Sequence, residues 1–469
     1  MFGKLPGIEK IFLIITLLFG FIFVFVNPPF QFPDEPEHLF KMYGYTQGIL
    51  KYQVLNGNTG LYLPKSFVKI KNLYSNLPFN YFSSTSFSFL KCASEIQLEE
   101  ENKVFYKHSS TSYLPISYFP TFIWLKILLL LNAPPLIILY LLRLSELFLY
   151  TGLLWLAIRL TPVKKELFAL LGMLPMAVYM GCSVNTDPLV IGLSFVFTAY
   201  IFKLAYSDSI EKISFKQTLL CVFIMFVITL CKLAYIPMLL LFLLIPSKKF
   251  GGVLKYFGSF FLLFISSGIA FALFVLYGFH SFGGGLAIEQ TSGSVSSGNS
   301  NLLEHIIFHP IYYLKCIYSS FFVLYKDIMA CFVGRFGWLD TFIPPYLVTF
   351  YWAVLVFVAI AVNKDEKNCH FTFFNRTVLL LIFCFSYILI SLSGFLTFRQ
   401  LIPYILGIQG RYFIPIAPAV FSLLSCSKIR LDGINLSKIV SISSIIGLSV
   451  SLYFLILRFY MTFYVQLWY

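Results

Sequence analysis

The stretch IEKIFLIITLLFGFIFVFV, residues 8–26, decides the fold class. After Glu9 and Lys10 it carries no charge, and its length is about what one α-helix needs to cross a bilayer core of roughly 30 Å. Apolar runs of roughly this kind, about 16 to 25 residues each, recur along most of the chain. Of 469 residues, 59% are hydrophobic and only 12% are charged. That charged share is about half of what an ordinary soluble domain carries. Mean hydropathy is +0.83. A soluble enzyme, a disordered chain and a coiled coil are excluded. The short alternating segments of a transmembrane β-barrel are absent. The fold class is an all-α polytopic membrane protein, a single integral domain over residues 1–469.

The run 8–26 follows a short basic start, Lys4 and Lys10. It is too long for a signal-peptide core and has no small-residue cleavage site, so it reads as a retained first span. The net charge of +14 invites a nucleic-acid reading, which its distribution excludes. The Lys and Arg residues sit in short clusters between apolar runs, as the positive-inside rule expects of cytoplasmic loops. Nine scattered cysteines show no CxxC and no metal-ligand spacing. In apolar runs they behave as small hydrophobes.

The basic clusters predict a topology with the N-terminus in the cytoplasm. Arg159, Lys164 and Lys165 mark one inner loop, and Lys203, Lys212 and Lys216 the next. Lys248, Lys249 and Lys255 mark a third, Lys364, Lys367 and Arg376 a fourth, and Lys428, Arg430 and Lys438 a fifth. The outer face then holds a long loop at 27–112, the tips 181–188 and 231–235, a second long segment at 278–345, and the tip 398–410. The last helix, about 439–464, puts the C-terminus outside. Between 113 and 160 the chain must cross an odd number of times, yet two apolar segments flank Asn132-Ala-Pro-Pro135. The first, 114–131, is taken as re-entrant or interfacial, and 311–332 as an amphipathic helix on the outer surface. The expectation is about 11 spans, with 12 or 13 allowed by the same markers.

Charges left over from this topology gather on the outer face. In Pro33-Asp34-Glu35-Pro36-Glu37-His38, two adjacent carboxylates stand just past the first span. A shielded carboxylate at a membrane surface can act as a general base. Asp34 can also simply cap a helix that begins at Glu35-Pro36. Asn185-Thr-Asp187-Pro188 reads equally as a helix start or as a site carboxylate. Lys232, alone at an outer tip, either snorkels to headgroups or binds an anion. Arg335, Trp338 and Asp340 lie in GRFGWLD, which suits a tight turn presenting a cation and an aromatic. Gln409-Gly410-Arg411-Tyr412 opens the penultimate helix, where a guanidinium can fork onto phosphate. The histidines form no ligand cluster. His305 and His309 lack the HExxH order, so no metal site is assigned, and a divalent metal is allowed without being indicated. Gly283–Gly285 and the Ser/Gly stretch 291–301 read as a linker, with no Walker pattern after them.

Four segments carry a resemblance: FPDEPEHLFKMYGYTQG (32–48), LPMAVYMGCSVNTDPLV (174–190), GRFGWLDTFIPP (334–345) and GIQGRYFIPIAPA (407–419). Together, in order, they resemble the DUF2142 family of bacterial membrane proteins from about residue 8 to 426. That family in turn resembles the GT-C superfamily of integral membrane glycosyltransferases. These take a sugar from a polyprenyl-phosphate carrier and act outside the cytoplasmic membrane. The resemblance implies a catalytic base at Asp34 or Glu35, assisted by Asp187. It implies Arg411 at the carrier phosphate, with Lys232 and Arg335 as further candidates. Glu37, His38, Asn185, Trp338, Asp340, Gln409 and Tyr412 are the expected substrate contacts. Size and class also resemble the glycosyltransferases that decorate O-antigen. The implied partners are a polyprenyl-phosphate sugar, a lipid-linked or nascent polysaccharide acceptor, and membrane lipids, with no nucleic acid and no cofactor. The implied place is the bacterial inner membrane, with the active site outward. A flippase of lipid-linked sugars and an O-acyltransferase are the rival classes. The first predicts internal repeats and the second a His-centred membrane motif, and neither is apparent.

Overall fold

The computed structural model describes residues 7–107, 113–281, 306, 308–363, 371–397, 403–426, 429–431 and 435–461. Gly283–Gly285, the stretch 291–301, Glu304, His305, Lys364, Lys367 and Lys428 lie outside the described residues.

The chain is a helical bundle. Among the described residues, seven helices are long and apolar enough to cross a membrane. They are α1 (Ile8–Val26), α6 (Pro135–Leu160), α9 (Asp187–Tyr206), α11 (Val253–Ser281), α12 (Pro310–Val333), α14 (Phe373–Thr397) and α16 (Leu436–Tyr460). Shorter apolar helices fill the rest: α5 (Thr121–Leu130), α10 (Phe215–Cys231), the 3-10 segment Leu233–Leu244 and α13 (Pro345–Ile360). Fewer long spans form than the charge markers suggest, because prolines interrupt several apolar runs. The apolar run 165–181 breaks into α7 (Lys165–Gly172) and α8 (Pro175–Gly181). Pro175 has no N–H to continue the ladder. Pro237 stands inside the segment Leu233–Leu244.

The 27–112 segment, expected as a loop, is instead a folded cap. It holds α2 (Glu35–Thr46), β1 (Gln53–Leu55), β2 (Asn58–Pro64), α3 (Lys65–Leu73), α4 (Phe87–Ser94) and β3 (Lys103–Lys107). The three strands pair antiparallel in the order β1-β2-β3, with Leu61 opposite Tyr106. Asn56 and Gly57, at φ 49° and 75°, turn the first hairpin. Asn-Gly is the dipeptide that tight hairpins favour. Inward-facing Leu61 and Leu63 join a core with Phe40, Tyr43 and Phe67.

The helix at 311–332 is present as α12, but the surface-helix expectation is corrected. Its 24 residues are long and apolar enough to be a span. It buries a stripe of Tyr313, Cys316 and Ser320, and Tyr313 donates to the Ile388 carbonyl of α14. Lys315, Lys326 and Asp327 lie on its exposed side. The segment 114–131 yields only a short 3-10 turn and the 10-residue α5, about 15 Å long and too short to cross.

The two ends of the bundle differ in chemistry. At one end Lys164 donates to the Ala359 and Ala361 carbonyls. There also Lys249 donates to Leu204 and Ser207, and Arg376 to Ser425 at 2.6 Å. These cations close helix C-termini, where carbonyls lack intrahelical partners. The other end collects the exit of α1, the start of α9, the end of α10 and the folded cap.

Candidate functional site

At this second end, four charged side chains drawn from four distant segments meet. The first is Asp34, held between Pro33 and the start of α2. Its backbone is left-handed, φ 60° and ψ 7°, an uncommon conformation for an aspartate. Its side chain does not cap α2, so the capping expectation is corrected. The carboxylate turns instead to Arg411, with Oδ2 accepting from Nη2 at 3.0 Å.

Arg411 sits in a 3-10 turn, Gly410–Phe413. Gly410 packs against the α12 backbone, where an added Cβ would collide with the Ile328 carbonyl and the Phe332 amide. Only glycine allows this approach, and it fixes where Arg411 emerges. The guanidinium is buried, and Nε donates to Gln409 Oε1 at 2.7 Å. Nη1 lies 3.8 Å from the second carboxylate, Asp187 Oδ2.

Asp187 is the first residue of α9, and its amide is held by Asn185 Oδ1 at 2.8 Å. Lys232, between α10 and the segment Leu233–Leu244, donates to Asp187 Oδ1 at 3.1 Å. The same ammonium lies 4.7 Å from the centre of the Tyr412 ring. Two carboxylates therefore face two cations, and Arg411 touches both carboxylates. Exposure separates the carboxylates. The Asp34 side chain is 49% exposed and that of Asp187 only 14%.

His38, one turn along α2 from Asp34, completes the cluster. Its Nδ1 lies 2.9 Å from the Tyr118 hydroxyl, and its ring is 5.3 Å from that of Tyr113. Burial pulls the imidazole down from its ordinary 6.5 to about 4. Lys232 and Arg411 push the same way, against Asp34 and Asp187. The ring is thus neutral at physiological pH.

Other expected residues go elsewhere. Glu35 is completely buried and forms a bidentate pair with Arg143 of α6, at 2.8 and 2.6 Å. Arg143 also donates to the carbonyls of Val24, Asn27 and Pro28, which end α1. The two oxygens of Glu35 are committed to the framework, whereas the Asp34 carboxylate stays half exposed. Glu37 is half-buried near Tyr106. Arg335 pairs with Asp327 at 2.7 Å and stacks on Phe342. Trp338 Nε1 donates to the Phe30 carbonyl at 3.0 Å. Asp340 accepts from Arg458 of α16 at 3.1 Å and from the Phe79 amide at 2.7 Å. These last residues clamp the cap to the bundle rather than joining the four charges. Arg143 and Arg458 were missed in the sequence. Their signal was available, since a charge inside an apolar run marks a buried partner.

Beside the turn that carries Arg411 lies an apolar cavity of about 610 Å³. Its walls include Phe321, Tyr325 and Phe332 of α12, Trp352 of α13, Tyr387 of α14 and Phe413. Phe413, which lines the cavity, belongs to the same 3-10 turn as Arg411. Among the described residues no three His, Cys, Asp or Glu side chains come together as a metal site.

A family model described as a predicted membrane protein, DUF2142, matches residues 17–420. No curated protein and no solved structure matches the chain.

Proposed function

The chain belongs to the DUF2142 family of predicted membrane proteins, and from that premise and the site geometry we propose that it is an inverting glycosyltransferase. It moves a sugar from a polyprenyl-phosphate carrier to a cell-surface glycan of the O-antigen type, at the periplasmic face of a bacterial inner membrane. One observation carries the reading: a half-exposed carboxylate and a buried guanidinium in contact, on a turn whose Phe413 lines an apolar cavity. A lipid-phosphate sugar presents the matching parts, an apolar chain, an anion and a reacting carbon.

Asp34 removes the proton from the acceptor hydroxyl, and the oxygen attacks the anomeric carbon. The bond from that carbon to the phosphate oxygen breaks, and the polyprenyl phosphate leaves. A single displacement inverts the anomeric centre. Arg411 and Lys232 hold the charge that develops on the leaving phosphate. In the free protein both cations are neutralised by Asp34 and Asp187. Donor phosphate therefore competes with Asp34 for Arg411. Its arrival detaches the carboxylate and leaves it free to take the acceptor proton, coupling donor binding to acceptor activation. Asp187 stays with Lys232 as the fixed counter-charge.

The test is transfer from a purified polyprenyl-phosphate sugar by wild-type protein and Asp34→Asn. The variant is expected to bind donor and to lose transfer. If transfer persists, the assignment of the base is wrong. If the wild type moves the intact donor between leaflets without transferring its sugar, the flippase reading replaces this one.

A further inference from the structure

Buried cations in this bundle have oxygen partners. Arg143 pairs with Glu35, Lys232 and Arg411 with Asp187 and Asp34, and Arg458 with Asp340. Lys164 donates to two carbonyls. Lys41 differs. It is 1% exposed, yet no carboxylate pairs with it among the described residues. Its Nζ lies 3.7 Å from the centre of the Tyr52 ring and 5.1 Å from that of Tyr45. Ring faces attract a cation, but they do not replace hydration as an oxyanion does.

The position of Lys41 ties it to the site. His38, Lys41 and Tyr45 follow one another at helical spacings of three and four, which places them on one face of α2, and Asp34 immediately precedes that helix. Asp34 and Lys41 are then about 10 Å apart along the axis. The residues bracketing Lys41 share an aromatic layer. The rings of His38 and Tyr45 are 5.8 and 5.9 Å from that of Tyr118, and the Tyr45 hydroxyl donates to the Tyr113 carbonyl at 2.5 Å.

We infer that Lys41, walled by Tyr45 and Tyr52, is an anion subsite that receives the carboxylate or phosphate substituent of a sugar substrate lying along α2 from Asp34. Burial independently weakens the hold of Lys41 on its proton, pulling the amine down to about 7, which an arriving anion would reverse. Tyrosine faces suit a sugar ring as well as an ammonium. The inference rests on the proposed function only in taking the anion to be part of a sugar; binding itself is read without turnover.

Competitive amine labelling with mass-spectrometric readout tests it on the purified full chain. Lys41 is expected to label with a midpoint near 7. Glucuronate or inorganic phosphate should then protect it several-fold and saturably, at ionic strength matched with chloride. Exposed Lys69 is the internal control. Protection by glucuronate identifies a carboxylate subsite, and by phosphate a phosphate subsite. Protection by neither overturns the inference. So does a labelling midpoint near that of an ordinary lysine, or no labelling of Lys41 below unfolding. Lys41→Arg, which keeps the charge, should retain glycan-anion binding in equilibrium dialysis, and Lys41→Met should lose it with an unchanged unfolding midpoint.

Discussion

Replacing Glu35 by Gln tests whether this carboxylate is framework or chemistry. The side chain is nearly isosteric, so packing is preserved and only the charge and one acceptor are lost. In the native protein both Glu35 oxygens accept from Arg143, which spends its remaining N–H groups on three carbonyls closing α1. A glutamine keeps one acceptor and turns its NH2 toward a guanidinium N–H. The pair is fully buried, so the guanidinium is left without a counter-charge. Breaking a buried pair from one side costs about 3–5 kcal/mol. That is a large part of a typical total of about 5–15 kcal/mol. For a chain of 469 residues it corresponds to a fall in unfolding midpoint on the order of 3–5 °C. The assay is thermal unfolding in detergent with a thiol-reactive fluorophore, which reports exposure of buried cysteines such as Cys182. Arg143→Gln should cost more, because Glu35 and the three carbonyls all lose their donor. The double variant should cost less than the sum of the singles. A Glu35→Gln protein that unfolds at the wild-type midpoint and yet loses activity would refute the structural assignment and return Glu35 to the chemistry.

Asp34→Asn should abolish transfer while changing stability by less than about 1 kcal/mol, because its ion pair is half-exposed; unfolding midpoint and turnover are measured on the same preparation. Arg411→Gln should lower kcat/KM about 10²–10³-fold, and Arg411→Lys should recover only part of this, since an ammonium cannot fork onto phosphate. Ala417→Trp, which fills the apolar cavity, should raise KM several-fold for long-chain polyprenyl donors and leave short-chain donors unaffected. His38 has a folded-state pKa of about 4 against an ordinary 6.5, so folding favours its neutral form. Its contribution is present above 6.5 and is lost as pH falls toward 4, on the order of 3 kcal/mol in all. His38→Gln should flatten that part of the stability–pH curve, which chemical unfolding at a series of pH values measures.

The membrane class and the helical content were legible in the sequence because they depend on local composition. A bilayer requires about 20 apolar residues per span, and a chain cannot hide that requirement. Lys164, Lys249 and Arg376 close helix ends at one end of the bundle, and Asp34, Asp187, Lys232 and Arg411 meet at the other. The Asn56-Gly57 hairpin lay inside a segment read as a loop, and the folded cap was hidden, since β3 joins the central β2 across a long separation in sequence.

What the sequence left open was the division of labour between neighbours. Asp34 and Glu35 are adjacent, equally charged and equally placed between prolines. Tertiary structure alone separates them. The left-handed backbone at Asp34 sends one carboxylate to Arg411 at a half-open surface, while the helical geometry at Glu35 sends the next into α6. Likewise the sequence offered Arg411 as the phosphate-side cation, with Arg335 and Lys232 as further candidates. Packing of Gly410 on α12 brings the first to Lys232 and Asp187, and the short pair with Asp327 takes Arg335 away. Composition fixes the solvent a chain must live in, because solvation sums over residues. Partnership is fixed by angstrom-scale geometry between residues hundreds of positions apart, which no local pattern encodes.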